Sequence, residues 1–124
     1  MRAYTTDTDA VDLVSPDHLL AVANSAVAAR GPVMLYLELE GGTVMAAGLG
    51  SPETVLTFWL SDGSGSYHSL GNVERKDYLV FRSRYESGTF VGEMALPAEA
   101  AMVALREFLA TGERPACVTW EADR

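Results

Sequence analysis

LPAEAAMVALREFLATGERPACVTWE, residues Leu96 to Glu121, reads as a helix, a hard stop and a short terminal strand. Pro97 suits the first helical position, where its missing N–H would have had no partner, and Gly112 followed by Pro115 ends the run. Between those marks Ala98, Ala101, Met102, Leu105, Phe108 and Leu109 recur at helical spacing, while Glu99, Arg106 and Glu107 fall elsewhere on the wheel. One face is therefore made for burial. The strand that follows, Cys117 to Glu121, is expected to turn Val118 and Trp120 inward.

Moving upstream, the apolar period is two, the signature of the sheet this helix needs. Tyr78 to Glu86 alternates, with Leu79, Phe81 and Tyr85 opposite Tyr78, Val80, Arg82 and Arg84, and Ser87-Gly88 turns it into Thr89 to Ala95. DGSGSYHSLGN, residues 62–72, is a Gly- and Ser-rich loop with a short strand expected at Tyr67 to Leu70. Val55 to Ser61 places Leu56, Phe58 and Leu60 on one face and Trp59 on the other. Gly50-Ser51-Pro52 breaks the preceding strand, Thr43 to Leu49, which Gly41-Gly42 joins by a tight turn to Val33–Leu39. There Val33, Leu35, Leu37 and Leu39 oppose Met34, Tyr36, Glu38 and Glu40, predicting a sheet with one dry side, and Trp59, Tyr36 and Tyr78 on its open face.

Ser15-Pro16-Asp17 opens a first helix with a capping hydroxyl, a preset φ and an acid at the positive end of the dipole. Leu19, Leu20, Ala23, Ala26 and Val27 form its stripe, and Arg30-Gly31-Pro32 closes it. Residues 1–14, rich in Thr and Asp, read as a flexible arm with one edge strand near Tyr4. The expected fold is α+β: a curved antiparallel sheet of about five to six strands with two helices packed on one face, in one domain over residues 1–124.

Composition narrows the function. The 17 acidic and 9 basic side chains leave a net charge of −8, which disfavours a nucleic-acid ligand and favours a positive partner. Between Gly31 and Glu74 lie Glu38, Glu40, Glu53, Asp62 and Glu74 with no Lys or Arg, so half the sheet is expected to present a field of one sign. One cysteine, Cys117, cannot form an intramolecular bridge, and the polar start and short apolar runs point to a cytoplasmic protein that neither enters nor crosses a membrane. His18 and His68 lack metal-ligand spacing, no phosphate-binding glycine loop is present, and no nucleophile motif occurs. No metal, cofactor or catalytic residue is expected.

The amphipathic helix, Gly112-x-Arg114-Pro115 and the strand ending Trp120-Glu121, placed after an aromatic strand and a Gly/Ser loop, resemble immunity protein family one of bacterial polymorphic toxin systems, over Val33 to Glu121. The resemblance implies a small cytosolic α+β inhibitor, not an enzyme, that binds a cognate toxin, often a nucleic-acid deaminase, and blocks its active site. Gly112, Arg114, Pro115, Trp120 and Glu121 are then expected to hold the last helix against the last strand. For the toxin-binding surface the candidates are Glu38, Trp59, Asp62, Tyr67, His68, Glu74 and Tyr85, which group an acidic segment, a flexible loop and aromatic anchors. The competing readings are a small-molecule-binding domain or small enzyme using a pocket between helices and sheet, with His68, Glu74 and Tyr85 as its polar groups, and a homo-oligomeric structural protein. The free chain is expected to be a monomer or homodimer.

Overall fold

A computed structural model describes residues 1–123. In chain order the elements are β1 (Arg2–Tyr4), β2 (Val11–Asp12), α1 (Pro16–Arg30), β3 (Val33–Glu38), β4 (Val44–Leu49), β5 (Glu53–Thr54), β6 (Leu56–Trp59), β7 (Ser66–Ser69), β8 (Tyr78–Val80), β9 (Thr89–Val91), a 3₁₀ turn (Gly92–Met94), β10 (Leu96–Pro97), α2 (Glu99–Thr111) and β11 (Trp120–Ala122). Seven strands form an open antiparallel sheet in the order β11-β7-β6-β4-β3-β1-β2, while β8–β9 and β5–β10 are separate two-stranded pairs. The architecture is α+β with a curved sheet.

Helix α1 begins as its sequence predicts. The Ser15 hydroxyl accepts from the His18 N–H at 3.1 Å, Pro16 follows, and Asp17 occupies the first turn. It buries Leu19, Ala23 and Ala26, whereas Leu20, one helical step round from Leu19, is exposed. Helix α2 starts later than Pro97 suggests. Pro97 pairs with Glu53 in the β10–β5 ladder, where a residue without an N–H is equally tolerated, and Ala98 is the cap. At the other end Gly112 takes the left-handed conformation, φ 70°, and its N–H bonds the Phe108 carbonyl at 2.8 Å.

Residues 2–4 are not part of a loose arm or an edge: β1 lies between β3 and β2, with Ala3 and Tyr4 buried. Nor has the sheet one dry side. Leu35, Leu37, Met45, Ala47, Leu56 and Phe58 pack with Leu19 and Ala23 of α1 and Ala101, Ala104, Leu105 and Phe108 of α2. On the opposite face Met34, Tyr36, Val44 and Ala46 form a second apolar layer with Tyr4, Val55, Phe81, Phe90 and Met94. This layer is covered by the segment from β8 to the 3₁₀ turn, so the expected open face is largely closed. The buried Ser69 hydroxyl ties the covering segment down, accepting from the Leu56 N–H at 3.0 Å and donating to the Met94 carbonyl at 2.7 Å.

The expected strand over residues 78–86 is mostly irregular. Only Tyr78–Val80 pairs with β9; beyond it Arg82 crosses to β3, with Met34 N–H on the Arg82 carbonyl at 2.8 Å and Arg82 N–H on the Pro32 carbonyl at 3.0 Å. Tyr78, expected on the open face beside Trp59, is instead 65% exposed on the hairpin. The terminal strand is shifted: Trp120 pairs with Ser69 and Glu121 with His68, while Cys117 lies outside it, exposed.

Gly48 marks how closely the second layer sits on the sheet, since a Cβ there would lie 2.7 Å from the Phe81 ring. Gly48→Ala is expected to displace Phe81 and to cost about 1–3 kcal/mol in urea unfolding. An unchanged midpoint would show that the layer yields without loss.

Candidate interaction face

The side of the sheet away from the helices carries an aromatic cluster built across strands. Register sets Tyr4 opposite Tyr36, and the rings stack at 5.4 Å with planes 12° apart. Tyr36 in turn stacks on Trp59 at 6.4 Å and 18°, across the small Ala46 of the intervening strand. Tyr85 stands edge-on to all three rings, at 6.4 Å from Tyr4, 5.1 Å from Tyr36 and 6.0 Å from Trp59, with interplanar angles of 81–87°. Those are the offset and T-shaped arrangements that ring quadrupoles favour. Tyr85 is 56% exposed, so the cluster has a buried base and an accessible crown.

Buried hydroxyls dictate the surrounding polar contacts. The Tyr36 phenol accepts from the Arg84 N–H at 2.8 Å and donates to the Glu86 carboxylate at 3.0 and 3.2 Å. The Tyr4 phenol donates to Glu38 at 2.8 Å, leaving Tyr85 to donate to Tyr4 at 2.9 Å. Arg2 pairs with the same Glu38 carboxylate. Burial pushes the pKa values of both buried phenols upward, and they stay neutral. Burial likewise raises the Glu86 carboxyl, against the opposing effect of the Tyr36 hydrogen bond.

Beside Trp59 lies a cleft of about 300 Å³ lined by Thr57, His68, Glu86, Phe90 and Asp123 among others. His68 comes from β7, one sheet position from Thr57, and its ring nitrogens each face a carboxylate: Nδ1 bonds Asp123 and Nε2 lies 3.3 Å from Glu121. Ser66 also donates to Asp123, at 2.8 Å. Glu121 thus meets His68.

The sequence-derived candidates divide between two faces and two loops. Trp59, His68 and Tyr85 share the face away from the helices, with Glu38 at its rim. Tyr67 projects to the helix side, where it packs on Phe58 at 6.3 Å beneath the Arg114 guanidinium, 3.9 Å from its ring centre. Period-two alternation makes neighbours such as Tyr67 and His68 diverge. Asp62 is exposed in its loop, its carboxyl held below the usual range by Ser64 hydrogen bonds. Glu74 is exposed in another loop. Tyr36, expected on this face beside Trp59, completes it together with Tyr4, Glu86 and Asp123, which are not among the candidates. Tyr36 was visible in the alternation; the others depend on long-range contacts.

The segment of single-sign charge is also partly neutralised, because Arg2 pairs with Glu38 and Arg75 bridges Glu53 and Asp77. The family-motif residues form one connected corner. Gly112 caps α2, Arg114 covers Tyr67, the Pro115 carbonyl accepts from Trp120 Nε1 at 2.7 Å, and Trp120 packs 6.2 Å from Phe58. The exposed Cys117 thiol is pushed up by partial desolvation and by neighbouring Glu107, which disfavours the nucleophilic thiolate. A cleft of about 500 Å³ between α1 and β1 is lined by none of His68, Glu74 and Tyr85, so the polar groups expected of a small-molecule pocket do not converge there. Among the described residues no group of three or more His, Cys, Asp or Glu could hold a metal ion, and no helix is long and apolar enough to cross a membrane.

The raised Glu86 carboxyl has a pH consequence. The folded chain holds this proton more tightly than the unfolded chain, so its contribution is full below the ordinary glutamate range and is lost as pH rises through the folded value. Glu86→Gln is therefore expected to gain thermal stability relative to the parent between about pH 4 and pH 7. A difference in melting temperature that stays constant over that span would contradict it.

Among curated proteins nothing matches the chain. A family model described as immunity protein Imm1 does match, over residues 7–122, which include both helices, Tyr36, Trp59 and Tyr85 of the aromatic cluster and the corner from Gly112 to Glu121. The chain belongs to the Imm1 family of immunity proteins.

Proposed function

We propose that this protein binds and neutralises a cognate secreted toxin, a nucleic-acid deaminase, by covering its cationic active-site cleft, and that it does so in the cytoplasm without chemistry of its own. The family match over nearly the whole chain carries the immunity part of this reading. Charge and surface support the rest. A deaminase must hold a polyanion and draw a base into its zinc pocket, which calls for a positive working surface. A partner of net charge −8 is attracted to such a surface, and the attraction raises the encounter rate.

The aromatic crown supplies the part of the interface that charge cannot. Tyr85 and Trp59 offer large, rigid contact area at little entropic cost, since their rings already pack on Tyr4 and Tyr36. Exposed Asp62 and Glu74 act at longer range, where they steer approach. Tyr67, under Arg114, is assigned to the fold and not to the interface.

Co-expression with toxins encoded beside its gene tests the reading, scored by survival and by deamination of single- and double-stranded substrates. Rescue is expected with one of them, together with an association rate that falls as salt rises. Tyr85→Ala is expected to weaken the complex by about tenfold or more, as an interface anchor does. No rescue, or a rate indifferent to salt, would overturn the proposal.

A further inference from the structure

We propose that the cleft beside Trp59 is a socket for one arginine side chain of the toxin. This rests on the immunity reading above and names the chemistry of its anchor. The cleft's volume of about 300 Å³ is at the bottom of the range of roughly 300–1,000 Å³ found for small-ligand sites, which suits one long side chain better than a metabolite.

Among the described residues its lining is acceptor-rich and contains no Lys or Arg. Among the described residues no cation pairs with Glu86, whose carboxylate meets only the Tyr36 phenol and so has acceptor capacity left. Asp123 adds a second carboxylate, oriented by His68 and Ser66. The independent sign of a missing partner is Thr57. This residue lines the cleft, is only 8% exposed, and its hydroxyl has no hydrogen-bond partner. An unpaired buried hydroxyl destabilises the folded chain, and a hydrogen-bond donor brought to it removes that penalty.

A guanidinium matches this lining better than an ammonium. Its planar fork presents donors in several directions, toward Glu86, Asp123 and the Thr57 oxygen together, and it is more weakly hydrated. The Trp59 ring and Phe90 supply aromatic walls for its stem and charged plane. Taking an arginine from a surface that must hold phosphates removes a group the toxin needs for substrate, so the same contact both anchors and inhibits.

The full-length chain, titrated with arginine amide, lysine amide and citrulline amide and followed by the NMR signals of the Trp59 indole and the His68 ring, tests the socket. Arginine amide is expected to shift both signals saturably, and the neutral citrulline amide to bind at least about tenfold more weakly. Glu86→Gln and Thr57→Val are each expected to weaken arginine amide about threefold to tenfold, with folding checked by melting curves. Equal response to citrulline, or shifts confined to Asp62 and Glu74, would overturn the socket. If Thr57→Val does not fold, Glu86→Gln decides. Rescue by the parent chain with undiminished toxin affinity in Glu86→Gln would reject the socket alone; absence of rescue by the parent would reject the immunity reading, while the titration still decides the socket.

Discussion

Strands β3 and β4 have scarcely an exposed side chain on either face, and the remainder of the chain is arranged to keep both faces dry. Two apolar layers cannot both be covered by two helices. Helices α1 and α2 take the side of Leu35, Leu37, Met45 and Ala47, and the irregular segment from β8 to the 3₁₀ turn takes the side of Met34, Tyr36, Val44 and Ala46. The closeness of Gly48 to Phe81 shows how little space the second cover leaves.

That second cover determines the chemistry displayed outside. Burying Tyr36 buries a hydroxyl, which must be satisfied, and the Arg84 N–H and Glu86 carboxylate do so from a stretch without regular structure. Pinning Arg84 and Glu86 leaves Tyr85 between them, edge-on to three rings and partly in solvent. The proposed interface anchor, Tyr85, thus arises as a by-product of satisfying a core phenol. The same segment brings Glu86 to the wall of the cleft that His68, Thr57 and Asp123 complete.

Electrostatics works at two ranges in this protein. Pairing of Glu38 with Arg2 and of Glu53 and Asp77 with Arg75 confines part of the negative charge to local bonds, which shape the surface. The excess over these pairs sets the long-range field, which bears on encounter and not on fold. An inhibitor of the kind proposed, which meets a positive surface and then holds it, has use for both, charge for the approach and packed aromatic rings for residence.

The residues alone determined the local structure. Ser15-Pro16-Asp17 and Gly112 marked helix ends, Gly41-Gly42 a hairpin, and alternation the strands from Val33 to Trp59, because caps, turns and periodicity act within a few residues. Short motifs at Gly112–Pro115 and Trp120-Glu121 carried the family as well. Only tertiary structure decided that β1 is an inner strand, that the second face is closed, and that Tyr67 and His68 part company. It also brought Tyr4, Glu86 and Asp123 to Trp59, from strands and loops far apart in the chain. No local pattern encodes such meetings, since they follow from which buried surface finds a cover and which buried polar atom finds a partner.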